Sequence, residues 1–438
     1  MKFPMATKKR QETKEQFEKR VKWFRDAGLG MFIHWGPYSK LGRGEWAMWR
    51  EDIHPLDYEK IANKFDPKSF DADKWANLAK NMGAKYVVLT TRHHDGYCLW
   101  DSKTTDFTSV QRAPKRDFVA EYVKALRKQG LKVGLYYSLL DWSWPAFNMD
   151  LPMDDDFAWQ KFVEEGPSYN PQAWKTFVKY VHTQVEELMT HYGKIDVLFY
   201  DGGWYQAEKQ WQSNKLNAMV RKHQPGIMIN DRAMVFEDFT TPENEIPVHL
   251  EHRDEPWEVC YCVNDTWGHI PSDINYKSIR QCIYALVRVR SAGGNLVLNA
   301  EPNGNGAMTA AFIKTMQGLG KWVKKNADSI YGCRLAAMAE HSTGFFSQPG
   351  MVTANPAQSK AYYHILRWLG GDNHCVKIEA DIISAQFLVS GKKVEFVRKG
   401  RMIYFYNLPS KAPDPIDTVI ELKYKKGSEI IKWKRSYV

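Results

Sequence analysis

The 438-residue sequence lacks several features that would settle its class at once. No long apolar run could span a membrane. The N-terminal "MKFPMATKKRQETKEQFEKR" has no apolar core of a signal peptide, so either a cytoplasmic chain or one whose leader has been removed is expected. Cysteine is sparse: Cys98, Cys260, Cys262, Cys282, Cys333 and Cys375 form neither a zinc-type C-x-x-C pair nor a dense disulfide framework, and free thiols are expected. Cys260 and Cys262 are two apart, which in a strand places both on one face. No Gly-rich phosphate fingerprint follows the first strand-like run, which disfavours an open dinucleotide-binding sheet. The net charge of +10 comes from Lys and Arg spread along the whole chain, with no concentrated basic face for nucleic acid. No low-complexity linker divides the chain.

What is abundant is aromatic surface. The chain carries 17 Trp, 22 Tyr and 21 Phe, more than a core of this size requires. Many sit beside polar residues, as in "EWAMWR", "LLDWSW" and "EPWEVCYC". Aromatic faces next to hydrogen-bonding groups suit flat amphipathic ligands such as sugars, although aromatics also dominate ordinary cores.

Three segments repeat one pattern, an amphipathic helix, a glycine and a β-rich apolar run. Trp75, Leu78, Ala79 and Met82 precede Gly83 and the run Tyr86 to Thr91. Val119, Tyr122, Val123 and Leu126 precede Gly130 and a run through Tyr137. Phe177, Val181, Val185 and Leu188 precede Gly193 and the run Ile195 to Tyr200. Further strands are predicted at 30–35, 226–230 and 293–299, with a helix over about 276–291 before the last. Helix-to-strand units whose strands are apolar on both faces predict a parallel sheet under helices, and a (β/α)8-like TIM barrel fits better than an open sheet. Polar residues gather where the strands end, at His34, His93, His94, Asp141 and Asp201, the rim where barrels hold their chemistry. From about residue 334 short alternating runs between turn signals predict a small antiparallel β-sandwich docked closely on the barrel. The expected division is therefore 1–333, barrel with N-terminal helix, and 334–438, sandwich.

Within "TRHHDGYCLWDS" the adjacent His93 and His94 admit three readings: hydrogen-bond donors to a ligand's hydroxyls, satisfied buried histidines, or a metal site. The last is disfavoured because adjacent residues on an extended segment point apart and no third ligand is evident. Asp201 closes an apolar run and is followed by Gly202 and Gly203. A turn role is one reading. The other is a carboxylate that a ligand approaches closely, the glycines clearing its space. Paired with a second carboxyl roughly 5 Å away, such a group would suit retaining glycoside hydrolysis. The acidic stretch that follows offers Glu237, Glu243, Glu245, Glu251, Glu255 and Glu258, and the residues alone do not choose among them.

Nine segments in order, "GMFIHWGPYS", "GEWAMW", "YVVLTTRHHDGYCLWDSKTTDF", "GLYYSLLDW", "VLFYDGGW", "NDR", "TPENEIP", "PWEVCYCVNDTWGH" and "GGNLVLNAEPNGNG", together resemble the α-L-fucosidases of glycoside hydrolase family 29 over about residues 15 to 330. The resemblance implies a (β/α) barrel with a C-terminal β domain. It also implies hydrolysis of terminal α-L-fucosyl linkages with retention of configuration, a fucosylated oligosaccharide or glycoconjugate as partner, and no metal or cofactor. Neither nucleic acid nor membrane is an expected partner, and association into a homo-oligomer is compatible with the sequence. By the same resemblance Asp201 matches the nucleophile. His34, Glu45, Trp46, His93, His94 and Tyr136 match groups that grip the sugar, with strand parity to decide between Tyr136 and Tyr137. Arg232 matches a sugar-site arginine, and Phe199 stands where some members carry a ring-contacting Trp. For the acid/base, Glu243 in "TPE" is preferred to Glu258 in "PWE", which then lies behind the site or binds a hydroxyl. "GEWAMW" resembles the broad-specificity branch. The alternatives are a related glycosidase acting on an L-galactoside, and a noncatalytic homologue, whose hallmark would be a missing catalytic carboxylate.

Overall fold

The computed structural model describes residues 6–7, 12–149, 158–246, 255–334, 350–372, 374–428 and 430. Seven parallel strands form one curled sheet: β1 Leu29–Ile33, β2 Tyr86–Arg92, β3 Lys132–Ser138, β4 Val197–Asp201, β5 Met228–Ile229, β6 Glu258–Cys262 and β7 Asn295–Ala300. Their order across the sheet is β5-β4-β3-β2-β1-β7-β6. The gap between β5 and β6 is bridged by an irregular stave. Asp238 N–H donates to Ile229 C=O at 3.0 Å, Glu258 N–H to Thr240 C=O at 3.0 Å, and Asn244 N–H to Cys260 C=O at 2.9 Å. The sheet thus closes into a barrel whose eighth position is a loop-like run, and Glu243 lies on that run.

The long helices are α1 Lys14–Ala27, α2 Ala72–Met82, α3 Phe118–Lys128, α4 Pro171–His191, α5 Ser213–His223, α6 Ile279–Ser291 and α7 Ala310–Lys325. Each of α2, α3 and α4 starts where an Asp or Asn side chain accepts from a first-turn N–H: Asp71, Asp117 and Asn170. Each ends at a predicted glycine with positive φ: Gly83, Gly130 and Gly193. The buried stripe of α4, Phe177, Val181, Val185 and Leu188, is the one its spacing predicts.

Strand parity sorts side chains between the barrel interior and the helix layer. Phe32, Tyr86, Tyr136, Phe199 and Cys260 fall in one interior cluster, and Phe17, Val21 and Phe24 of α1 belong to it as well. Tyr137, Leu198 and Tyr200 pack outward with the helices. A shift of one residue would exchange the two sets, so burial on both faces fixes the register Tyr136↔Phe199 and Ser138↔Asp201.

The C-terminal strands are β8 Gly350–Asn355, β9 Lys360–Ile365, β10 His374–Lys377, β11 Ile382–Phe387, β12 Glu395–Lys399, β13 Met402–Tyr406 and β14 Thr418–Tyr424. They make two antiparallel sheets, β8-β9-β14-β11 and β10-β13-β12, around a separate core. Hydrogen bonds tie the first sheet to the barrel: Thr353 hydroxyl to Ser329 C=O at 2.7 Å, and Trp322 indole to Asp417 C=O at 3.4 Å. Among the described residues no helix is long and apolar enough to cross a membrane.

Candidate active site

The C-terminal ends of the strands surround a small pocket. It is lined by nine of the ten residues to which the resemblance gives a catalytic or sugar-gripping role, His34, Glu45, Trp46, His93, His94, Tyr136, Asp201, Arg232 and Glu243, and by Phe199. Glu258 does not line it.

Asp201 is the last residue of β4 and shares interior parity with Phe199. Its Oδ2 accepts from the Tyr136 hydroxyl at 2.8 Å, and its Oδ1 from Arg232 Nη1 at 2.9 Å. Burial alone would raise this carboxyl. The Arg232 guanidinium, with the Tyr136 hydroxyl, outweighs burial and holds Asp201 below the usual carboxylate range. Parity also settles the tyrosine choice, because Tyr137 faces the helices and donates to Gln184 Oε1.

Arg232 joins two carboxylates. Its Nη2 donates to Glu243 Oε2 at 2.8 Å, while Nη1 holds Asp201. The Trp267 indole N–H donates to the other oxygen of Glu243 at 2.9 Å. Glu243 is the more open of the two, its side chain 41% exposed against 11% for Asp201. The pocket therefore presents one deep anionic oxygen and one carboxyl at the mouth, an arrangement able to attack a carbon from below and exchange a proton with an atom at the rim.

Glu258 is fully buried. It lies two residues before Cys260 on the same interior face, ~6.6 Å deeper along β6. Its Oε2 accepts from the Tyr86 hydroxyl, and its Oε1 meets no donor among the described residues. Burial pushes it up to about 7, against the pull of the Tyr86 hydrogen bond and of Arg232. A raised carboxyl is the signature sought for an acid/base, yet geometry comes first, and Glu258 cannot reach a ligand in the pocket. The folded chain holds this proton up to pH of about 7, whereas the unfolded chain releases it near 4.5. The stability it contributes is therefore complete below pH 4.5 and is lost as pH rises through 7, about 3 kcal/mol in all. Glu258→Gln is expected to remove that decline, so urea unfolding at pH 5 and 8 should show the variant gaining on wild type as pH rises. An equal pH dependence in both proteins would refute the assignment.

The histidines depart from expectation. His93 and His94 do not point apart: the chain leaves β2 after Arg92 and turns, Gly96 N–H closing on His93 C=O at 3.1 Å, so both rings enter the pocket with centroids 4.2 Å apart. His93 stacks on Tyr136 at 5.7 Å. Burial lowers all three pocket imidazoles, His34 and His94 to about 4 and His93 well below its ordinary value. They are uncharged at neutral pH. Glu45 accepts from Gly268 N–H at 2.7 Å and is raised by burial. Trp46 meets His94 edge-on at 5.2 Å.

Asp141, predicted at the rim, is buried away from the pocket. It pairs with Arg92 at 3.0 Å and accepts from Tyr180 at 2.9 Å. The paired glycines also serve a different purpose from the one expected. Gly202 has φ +76°, and a Cβ there would stand 2.7 Å from Leu140 Cγ; a Cβ on Gly203 would stand 2.2 Å from the Arg232 carbonyl oxygen. They make room for the protein's own chain, bringing the Arg232 loop against Asp201, rather than for a sugar. Gly203→Ala must displace that backbone, at an expected cost of about 3 kcal/mol with loss of activity. Thermal unfolding and turnover unchanged from wild type would contradict this.

Sequence reasoning missed Phe32, Trp204, Cys260 and Trp267 as lining residues. Trp204 and Trp267 stand inside quoted motifs, "DGGW" and "NDTWGH", and for Trp204 an aromatic following the strand-terminal Asp201 was the available signal. Glu251 lies outside the described residues. Among the described residues no group of three or more His, Cys, Asp or Glu is placed to hold a metal.

The family described as alpha-L-fucosidase matches residues 2–328. The tissue alpha-L-fucosidase of Macaca fascicularis is 31% identical over 343 residues, 71% of this chain and 69% of that protein. Alpha-L-fucosidase isoenzyme 1 from Paenibacillus thiaminolyticus has a similar structure, with TM-score 0.82 and 34% identity over 93% of this chain and 99% of that one. A trapped covalent intermediate of a family 29 alpha-L-fucosidase from Bacteroides thetaiotaomicron, in complex with 2-fluoro-fucosyl fluoride, gives TM-score 0.81 at 26% identity, covering 97% and 100%. The curled parallel barrel with its C-terminal antiparallel sheets is the architecture of these structures, and the chain belongs to the α-L-fucosidase family of glycoside hydrolases.

Proposed function

We propose that the protein is a retaining exo-α-L-fucosidase in which Asp201 is the nucleophile and Glu243 the acid/base. The observation that carries the reading is the single Arg232 guanidinium that holds both carboxylates inside one small pocket. In the first step an Asp201 oxygen bonds the anomeric carbon as the glycosidic bond breaks, and the Glu243 proton goes to the departing oxygen. In the second, water gives a proton to Glu243 and attacks the same carbon, releasing Asp201 and α-L-fucose. Two inversions give net retention. Asp201 suits attack because it is held ionised, and Glu243 suits proton exchange because it stands at the rim where a leaving group departs. The covalent intermediate trapped in the Bacteroides thetaiotaomicron neighbour supports the double displacement.

His34, Glu45, Trp46, His93, His94 and Tyr136 grip the sugar, and the closed floor makes the action exo. Phe32 and Phe199, ring centroids 5.1 Å apart, give part of that floor an apolar surface. It suits the methyl carbon of fucose better than the extra hydroxyl of L-galactose, which would be buried there without a partner. Glu258 supports the barrel floor below the site. We also propose that residues 1–333 form the catalytic unit and 334–438 the docked sandwich. The test is hydrolysis of 4-nitrophenyl α-L-fucoside followed by proton NMR. First-formed α-L-fucose supports the reading, and first-formed β-L-fucose, or no hydrolysis, overturns it.

A further inference from the structure

Two imidazoles of the pocket are held from behind by side chains that do not line it. His94 Nδ1 lies 2.6 Å from Ser138 Oγ, and His34 Nδ1 lies 2.7 Å from Asn299 Oδ1. We propose that Ser138 and Asn299 are positioning residues that fix His94 and His34 in the tautomer with an unprotonated Nε2, so that both rings accept hydrogen bonds from substrate hydroxyls. The inference rests on the fucoside reading above for the identity of those hydroxyls.

The tautomers follow from counting protons. The Ser138 hydroxyl has one, and donates it to Leu140 C=O at 2.8 Å. That carbonyl is itself fixed, receiving Arg92 Nη2 at 3.1 Å. Ser138 Oγ can therefore only accept from His94, and the ring proton must sit on Nδ1. The Asn299 amide nitrogen donates to Trp267 C=O at 2.8 Å, which turns Oδ1 toward His34. A carbonyl oxygen is an acceptor only, so His34 also carries its proton on Nδ1. A neutral imidazole has one such proton, and burial keeps both rings neutral. Nε2 is then a bare acceptor in each. The spacing at Asp201 agrees: His94 Nε2 stands 3.7 Å from Asp201 Oδ2, beyond a direct hydrogen bond, as two acceptors should. Two unrelated networks, one from β3 and one from β7, thus impose one polarity on the wall of the pocket.

The consequence is chemical. A hydroxyl read by these rings must donate, and a fluorine in its place, which cannot donate, gains nothing over hydrogen. The experiment measures competitive inhibition by L-fucose and by its 2-, 3- and 4-deoxy and deoxyfluoro derivatives, with wild type and Ser138→Ala. In wild type, at the hydroxyls whose removal weakens inhibition about tenfold, fluorine is expected to restore less than twofold. In Ser138→Ala, removal of one particular hydroxyl is expected to cost less than threefold, because its partner has already lost its orientation, while the other positions keep their wild-type penalties. Fluorine restoring most of the affinity in wild type would show that the rings donate, and that arm stands even if the variant does not fold. Equal penalties at every position in wild type and a folded variant would reduce Ser138 to a structural role. Absence of inhibition by L-fucose itself would overturn the fucoside reading and the inference with it, whereas the preceding outcomes overturn the inference alone.

Discussion

Asp201→Gly is expected to lower turnover of 4-nitrophenyl α-L-fucoside by roughly four orders of magnitude, and azide to restore part of it with β-L-fucosyl azide as the product. The magnitude follows from losing the covalent step altogether. Azide fits the case because the substitution removes a carboxyl from a buried, cation-lined space. The Arg232 Nη1 and the Tyr136 hydroxyl that now bind Asp201 remain to receive a small anion. Attack by azide on the face that Asp201 occupied inverts the α-glycoside once, which fixes the product as β. An α-azide, or full activity in the variant, would remove Asp201 from the nucleophile's place.

Replacement of Glu243 should act in a different pattern, one that depends on the leaving group. Glu243→Ala is expected to lose about a thousandfold on a glycan, whose departing sugar oxygen needs a proton. It should lose less than about tenfold in kcat/KM on 4-nitrophenyl α-L-fucoside, whose leaving group departs as the anion. The second step still lacks its base, so kcat on the nitrophenyl substrate should fall while KM falls with it, and azide should accelerate turnover to α-L-fucosyl azide. Glu258→Gln is the control. Buried a layer below the pocket with the Tyr86 hydroxyl, it should show no dependence on leaving group. If the dependence appears in the Glu258 variant and not in Glu243→Ala, the two roles are reversed.

The sequence made the helix-to-strand repeat legible because burial on both faces of a strand leaves an unbroken apolar run, and because positive-φ glycines mark where the preceding helices stop. Asp201 was legible because it closes such a run, whereas Tyr136 was named by resemblance and its choice over Tyr137 waited on strand parity. What failed was whatever depends on the chain leaving that period. His93 and His94 were read as extended neighbours, but the strand ends at Arg92 and the turn brings the rings together. The function of Gly202 and Gly203 depends on Leu140 and Arg232, which are distant in sequence, so no local pattern could show that the chain itself fills their space. The strand Glu258–Cys262 went unpredicted because its inward residues, Glu258, Cys260 and Cys262, do not spell an apolar face. The eighth stave carries Glu243 on irregular backbone held by single bridges, and for such a segment sequence periodicity has nothing to report. One carboxyl is at the mouth and the other is beneath the floor, a difference in depth that the sequence did not carry.

The proposed reaction passes through a covalent bond between Asp201 and the anomeric carbon. It is tested most directly by incubating the enzyme with 2-deoxy-2-fluoro-L-fucosyl fluoride, digesting with a protease and mapping the modified peptide by mass spectrometry. A single 2-fluorofucosyl group is expected on the peptide that contains "VLFYDGGW", located on Asp201. A label on Glu243 or Glu258, or an active enzyme that turns over fucosides yet never acquires the label, would contradict it.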